Sequence, residues 1–287
     1  MGRVLAWIAG LAALAAIAGM AWVYGVSEYH LRRPRSAPFE TVTVPTDSAS
    51  IAEGRRLAAI LGCLEGCHGK HGQGLTFPES GFGLVHAPNL SVAGPTYSDA
   101  ELVRVIRHGV KRNGRSATDM PTGTFNPLSD VDLGRVMAFV RNLPKLDGPP
   151  IGPQITWTGR LRLATGRIMV SADEAKHSPT RWGTRPRVAP FERGRYLASI
   201  TCTECHGLDL NGEAIEGSPP LGVVQAYTEP QFKHLMRTGV PISGRDLGMM
   251  SETARVAFSL FTDQEISDLY TYLAQRAKGD TLDARAP

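Results

Sequence analysis

One motif organises this sequence: Cys202-Thr203-Glu204-Cys205-His206. A variant of it lies upstream as Cys63-Leu64-Glu65-Gly66-Cys67-His68. Two cysteines with a histidine directly after the second are typical of covalent haem c attachment. Each thiol adds to one haem vinyl group, one helical turn spans the two vinyls, and the histidine that follows binds the iron. The chain is therefore predicted to hold two haem c groups. Cys63 and Cys67 attach the first and Cys202 and Cys205 the second, with His68 and His206 as iron ligands.

The upstream motif departs from the usual pattern, because three residues rather than two separate its cysteines. We expect the extra residue to bulge out of the turn. A structural disulfide or half of a zinc site is the alternative for this motif. A zinc site or a redox dithiol would also suit an isolated Cys-x-x-Cys, but the histidine at the next position, found twice, favours haem attachment.

Length, composition and charge limit the number of domains and the classes of partner. The 287 residues leave room for about two domains. An apolar fraction of 42% is ordinary for globular domains with one membrane segment. The net charge of +4 is mild, and no dense Lys/Arg run interleaves with aromatic residues, so the sequence gives no support for a nucleic-acid partner. All four cysteines lie in the two motifs.

The N-terminal segment 4–26 contains no charged residue. About 20 apolar residues are enough to span a bilayer, and Trp7, Trp22 and Tyr24 suit its two interfaces. This predicts an uncleaved membrane anchor. A signal peptide cleaved near Ala16-Ile17-Ala18 is the alternative, although its apolar region is usually shorter.

Two signals disagree about the orientation of the anchor. Arg3 precedes it and Arg32, Arg33 and Arg35 follow it, so charge alone would keep the C-terminal side in the cytoplasm. Haem c is attached outside the bacterial inner membrane, which demands the opposite. Long soluble domains translocate largely regardless of flanking charge, so we expect periplasmic domains on an inner-membrane anchor. The three arginines would lie on lipid headgroups or in solvent.

An internal repeat divides the remaining chain. Residues 54–60 match residues 194–200, and residues 107–110 match residues 237–240. Each copy is predicted to contain a helix, a haem motif, a Gly-rich loop, a middle helix, a methionine loop and a terminal helix. The middle helices are expected at 98–109 and 228–239, and the terminal helices at 130–142 and 263–277. Asp130 and Asp263 fit the N-cap positions of the terminal helices, with Ser129 and Thr262 as close alternatives. The first copy has about eight more residues, mostly within 77–96.

These patterns predict six segments: an anchor at 4–26, a tether at 27–50, a first domain at 51–143, a Pro-rich connector at 144–190, a second domain at 191–277 and a tail at 278–287. A short helix near 157–165 is expected in the connector.

A second axial ligand for each iron is predicted from the repeat. Met120 precedes Pro121 in a loop before the terminal helix, and the repeat offset places Met250 at the same point of the second copy. A thioether is a soft ligand, and His/Met ligation raises the reduction potential. Met249 is the neighbour that would replace Met250, and ordinary core packing is the alternative for either methionine.

Several further residues have weaker signals. The carbonyls of Pro88 and Pro219 are candidates to accept the proximal histidine N–H, with plain turn prolines as the alternative. Arg115 and Arg245 are candidates to pair with haem propionates, or are solvated. Roles other than iron ligation are expected for the remaining histidines: His71, His86, His108, His177 and His234.

These residues together resemble a known family. The chain is similar to membrane-anchored dihaem cytochromes c with two class I cytochrome c domains, as in the cytochrome subunits of periplasmic dehydrogenases. The resemblance covers the anchor and residues 51–143 and 191–277. It is carried by both haem motifs, Ala87-Pro88-Asn89-Leu90, the Arg-x-Gly-Val helix ends, Met120-Pro121 and the Leu-Ser-Asp and Phe-Thr-Asp helix starts. The extra residue of the first motif and the missing proline after Met250 depart from the family pattern.

The resemblance implies an all-α fold, an N-terminal transmembrane helix followed by two tandem cytochrome c domains. It also implies electron transfer without a catalytic residue. Electrons would pass from a dehydrogenase-type donor to a respiratory acceptor, such as a soluble cytochrome or a terminal oxidase. An enzyme acting on peroxide, nitrite or a sulfur compound through a displaced methionine is the alternative. A sensor or assembly subunit with structural haems is a third possibility.

Overall fold

The computed structural model describes residues 1–79, 81–149, 152, 154–178, 187–213 and 217–279. These residues are mostly helical, which confirms the predicted fold class with one small sheet added. Four prolines of the predicted connector (Pro150, Pro153, Pro179 and Pro186) and residues 280–287 of the predicted tail lie outside the described ranges.

The first helix, α1 (Gly2–Arg32), has 31 residues and continues past the predicted anchor at 4–26. Its apolar side chains are exposed along most of its length. Among the described residues, α1 is the one helix that is long and apolar enough to cross a bilayer. A signal sequence would meet the same two criteria of length and composition. The last turns of α1 carry polar residues that contact the rest of the protein.

Each repeat is built on a crossing of its first and last helices. In the first repeat α2 (Ser48–Ile60) crosses α6 (Asp130–Arg141). In the second, α9 (Pro190–Thr201) crosses α13 (Asp263–Ala277). The matched glycines of the repeat lie at these crossings. A Cβ on Gly54 would be 1.9 Å from a carbonyl oxygen of α6, and one on Gly194 would be 2.0 Å from a carbonyl oxygen of α13. Only glycine allows the helices to come this close.

The middle helices, α4 (Asp99–His108) and α11 (Glu229–Thr238), start one residue later than predicted. Ser98 and Thr228 cap them, and both caps belong to capping boxes. Each helix ends at a glycine with positive φ, at Gly109 and Gly239.

The N-caps of the terminal helices are Ser129 and Thr262, so Asp130 and Asp263 are the first helical residues rather than the caps. The two aspartates pair with the matched arginines of the middle helices. Arg107 Nη2 donates to Asp130 Oδ1 at 2.6 Å, and Arg237 Nη2 donates to Asp263 Oδ1 at 2.8 Å. A charge pair between the middle and terminal helices therefore explains why both copies keep the arginine.

The extra residues of the first repeat form structure that the sequence did not predict. Strands β1 (Leu75–Glu79) and β2 (Gly83–Ala87) make an antiparallel hairpin, and α3 (Leu90–Thr96) follows it. A two-residue strand of the connector, β3 (Gln154–Ile155), extends the sheet by pairing with β2. The second repeat has a 3-10 helix, Leu221–Ala226, after its haem motif.

The predicted tether at 27–50 begins inside α1 and ends inside α2, and the residues between, 33–47, lie extended along the first repeat. Glu40 accepts hydrogen bonds of 2.9 Å from Arg107 and His108. Arg33 and Arg35 form ion pairs with Asp173 at 2.9 and 2.7 Å. For Arg33 and Arg35 the expectation of solvation or contact with lipid headgroups is therefore wrong, because they fix the tether to the connector. Arg32 pairs with Glu28 and stays exposed.

The connector also packs on the first repeat. The helix expected near 157–165 is confirmed as α7 (Trp157–Ala164), and it packs against the end of α1. A short helix that was not predicted, α8 (Ser171–Glu174), contacts α5 (Thr122–Phe125), which follows Met120.

The two repeats share one apolar core and a polar interface. Arg56 of α2 pairs with Glu265 of α13 at 2.8 Å. Tyr196 of α9 donates to the buried carboxylate of Asp132 on α6 at 2.6 Å. These contacts hold the repeats in a defined relative position.

Candidate functional site

The two cysteine-histidine motifs close the same hydrogen bond despite their different lengths. In the second motif α10 (Thr203–His206) forms an ordinary turn, and His206 N–H donates to Cys202 O at 2.9 Å. The first motif forms a π-helical turn, Cys63–Cys67, and His68 N–H donates to Cys63 O at 2.9 Å. The predicted bulge is confirmed: the wider turn absorbs one residue, and Glu65 takes φ 59°. The histidine is therefore reached from the first cysteine in the same way in both copies.

A proline carbonyl orients each histidine, which confirms the contacts predicted for Pro88 and Pro219. His68 Nδ1 lies 2.7 Å from Pro88 O, and His206 Nδ1 lies 2.8 Å from Pro219 O. A carbonyl oxygen only accepts, so Nδ1 carries the proton and Nε2 keeps its lone pair. This is the arrangement in which an imidazole binds a metal, with its ring fixed by the second nitrogen.

Matched glycines support these proline loops. Gly74 N–H donates to His68 O at 2.8 Å, and Gly212 N–H donates to His206 O at 2.9 Å. Both glycines have positive φ, 86° and 92°. A Cβ on Gly74 would lie 2.9 Å from Asn89 N, and one on Gly212 would lie 2.8 Å from Ser218 O. A side chain at either position would push away the loop that holds the histidine.

The four cysteines are free thiols in the fold, so neither motif is a disulfide. Burial raises the pKa of Cys63 and Cys67 to about 12 and the pKa of Cys202 to about 11. A protein zinc site needs several such ligands together, and in the described part of the chain no three His, Cys, Asp or Glu side chains cluster as metal ligands. Two enclosed thiols beside an oriented imidazole fit covalently attached haem, which supplies one-electron exchange at its iron when bound.

The two predicted methionine ligands lie in different local structures. Met120 is half-buried, and its N–H donates to Ser171 Oγ of α8 at 2.9 Å. Met250 is half-buried in the first turn of α12 (Met249–Val256), while its neighbour Met249 is 63% exposed. Both Met120 and Met250 pack on the apolar core. Met250 is therefore better placed than Met249, and the role of Met120 and Met250 as iron ligands stays a prediction.

The other predicted candidates occupy less specific positions. His71, His177 and His234 are exposed, whereas His86 contacts Thr76 Oγ1 at 3.0 Å. Arg115 and Arg245 are exposed, and their pairing with propionates stays a prediction.

Two groups around the first site were missed at the sequence level, namely Ser171 and Glu174 of α8. Thr122 Oγ1 donates to the Ser171 carbonyl, and Glu174 lies against Gly123. Their distance along the chain from Met120 and the shortness of α8 left no periodic signal.

Comparison with known proteins agrees with this geometry. Residues 191–277 match the family model described as cytochrome c, and residues 49–140 match the model described as cytochrome C oxidase, cbb3-type, subunit III. The chain thus carries two cytochrome c-type domains, a class whose members transfer electrons through covalently bound haem c.

A curated relative is more specific. The chain is 24% identical over 290 residues to the fructose dehydrogenase cytochrome subunit of Gluconobacter japonicus. The match covers 86% of this chain and 58% of the relative, so the chain spans a little over half of the relative's length. The predicted similarity to cytochrome subunits of dehydrogenases is confirmed.

Proposed function

We propose that this protein is a membrane-anchored dihaem cytochrome that carries electrons from a dehydrogenase-type donor to a respiratory acceptor. The observation that carries the proposal is the matched pair of sites. Each has two free cysteines one turn apart, a histidine whose Nε2 is left free by a proline carbonyl, and a half-buried methionine at the equivalent position. The chain's own groups fix and enclose each haem, and no proton transfer is needed for one-electron exchange.

The donor is proposed from the relative, whose name describes a subunit of a dehydrogenase. The substrate would belong to the donor rather than to this chain. The acceptor would be a soluble cytochrome or a terminal oxidase. The domains would lie on the periplasmic face of the inner membrane, because haem c is attached there.

Two measurements test this function. Mass spectrometry of the mature full-length protein is expected to show two covalently added haems. Purification of the native complex in mild detergent is expected to yield a dehydrogenase subunit that reduces both haems when its substrate is added. A mature chain with fewer than two haems, or a co-purified dehydrogenase that leaves the haems oxidised, would contradict the proposal.

A haem enzyme is the second candidate, and one observation favours it at the second site. A serine holds each methionine loop, Ser171 for Met120 and Ser251 for Met250, but residues 242–249, which lead to Met250, are all exposed. An exposed loop is easier to displace from the iron. Rapid and complete carbon monoxide binding at one reduced haem would support the enzyme, and slow or partial binding at both haems would support the electron carrier.

A further inference from the structure

Two buried threonine hydroxyls connect the two haem sites. Thr124 lies in α5, on the loop that carries Met120, and Thr203 lies between the two cysteines of the second motif. Their Oγ1 atoms are 3.1 Å apart, and the residues are 2% and 3% exposed. The methionine side of the first site therefore touches the cysteine side of the second.

The hydrogen-bond direction of this contact can be assigned. Thr203 Oγ1 donates to the carbonyl of Ser199 at 2.9 Å, so Thr124 is the donor to Thr203. Thr124 N–H in turn donates to Pro121 O at 3.1 Å. Two hydrogen bonds and otherwise covalent links thus lead from Met120 through Pro121, Thr124 and Thr203 to Cys202.

Buried apolar side chains from both repeats surround this contact. The side chains of Leu64, Phe125 and Cys202 belong to one buried apolar cluster. Helix α5 of the first repeat also packs against α10, the turn of the second motif. The methionine loop of one repeat thus lies directly against the haem motif of the other.

We propose that Thr124 and Thr203 are positioning residues that couple the two haem sites, and that electrons pass between the sites within one chain along this contact. The inference rests on the proposed electron-transfer function. Because the hydroxyls are buried and mutually bonded, they hold the two sites at a fixed spacing and exclude water from between them.

The test uses the full-length holoprotein with Thr124→Val, Thr203→Val and the double substitution. A laser flash with a photoreductant places less than one electron on each protein, and redistribution between the haem absorption bands gives the inter-haem rate. Each single substitution is expected to slow that rate several-fold while both midpoint potentials stay unchanged. The inter-haem rate of the double variant is expected to equal that of the slower single variant, because the two single variants and the double variant all remove the same hydrogen bond.

Tyr196→Phe is the matched control, because it removes a 2.6 Å hydrogen bond between the same two repeats away from the threonines. It is expected to lower the unfolding temperature and leave the inter-haem rate unchanged. Thr124→Ser and Thr203→Ser keep a hydroxyl and are expected to restore the rate, which covers the case in which valine disturbs folding. Valine variants with two reducible haems and a wild-type rate would overturn the inference alone. A wild-type protein without two reducible haems would overturn the proposed function.

Discussion

At the scale of single residues, the histidines of the two motifs already have the orientation that a metal ligand needs. Burial lowers the pKa of His68, and the Pro88 carbonyl opposes that effect without cancelling it. The imidazole therefore stays neutral near neutral pH, with its proton on Nδ1. Ring orientation, tautomer and charge state all favour iron binding through Nε2.

The methionine assignment is tested by Met120→Ala and Met250→Ala. Each substitution is expected to remove one axial thioether and convert one haem towards high spin, which visible absorption measures directly. Met249→Ala is the control, because that side chain is 63% exposed and is expected to leave the spectrum unchanged. A spin change in Met249→Ala but not in Met250→Ala would move the ligand by one residue.

Gly74→Ala tests the loop that holds His68. Its φ of 86° strains any side chain, and the new Cβ would also lie 2.9 Å from Asn89 N. We expect a loss of roughly 1–3 kcal/mol in the free energy of unfolding, with less haem attached to the first motif. Gly114→Ala separates backbone strain from crowding, because Gly114 also has a positive φ, 75°, but has open space around it. Equal effects of the two substitutions would show that crowding of the proline loop is unimportant.

At the scale of elements, the π-helical turn of the first motif is an insertion that the fold tolerates at a cost. Glu65 has φ 59° and ψ −55°, a conformation that L residues rarely adopt. Deleting Glu65 should restore the four-residue turn of the second motif, which closes the same bond to histidine. We expect two haems to remain and the free energy of unfolding to rise by about 1–3 kcal/mol, measured by denaturant titration. Loss of the first haem on deletion would show that the wider turn is required.

The short helix α8 carries an unusual carboxyl. Burial raises the pKa of Glu174 to about 7, Asp119 adds to the rise, and the Gly123 N–H opposes it. The folded protein thus holds this proton more tightly than the unfolded chain, so the group's stabilising contribution is complete below pH 4.5 and is lost as pH rises to about 7. The loss amounts to about 3 kcal/mol.

Glu174→Gln is therefore expected to flatten the pH dependence of the free energy of unfolding between pH 4.5 and 7. Chemical denaturation of the holoprotein at several pH values measures that slope. Glu101→Gln is the control. The hydrogen bond from Arg112 lowers the pKa of Glu101 to about 2, so this carboxyl is already ionised between pH 4.5 and 7. An unchanged slope in Glu174→Gln would assign the pH dependence to other groups.

The elements found from the sequence are those with a repeated pattern. The first helix of each repeat follows from the match of residues 54–60 with residues 194–200, and the motif turns follow from the spacing of the cysteines and histidines. The β1–β2 hairpin and α8 were missed for a different reason. Strands of five residues and a helix of four give too few periods to recognise, and partners such as Ser171 and Met120 are distant in sequence.

At the scale of the whole molecule, the two repeats have the same helices and motif turns but differ in the segments that cover them. The matched residues Val110 and Val240 are 1% and 41% exposed. Around the first repeat lie the sheet, the tether and α8, all of which come from segments that the second repeat lacks. Through α7 these segments also join the first repeat to α1: Thr156 N–H donates to Phe82 O of the hairpin region at 2.9 Å. The first predicted haem site is therefore the one tied to α1.

Arg160 of α7 makes three polar contacts with α1. It pairs with Glu28 at 2.8 Å, donates to Ser27 Oγ at 3.0 Å and stacks over the Tyr24 ring at 4.3 Å. Arg160→Ala leaves Ser27 buried without its donor, at a cost of about 1–3 kcal/mol to the docking of α7 on α1. In the lipid-reconstituted holoprotein, hydrogen exchange of α7 should become faster by one to two orders of magnitude, roughly, while the haem spectra stay unchanged. Arg167→Ala, an exposed arginine just beyond α7, should exchange like wild type. Unaltered exchange in Arg160→Ala would mean that apolar contacts alone hold the first repeat to its anchor.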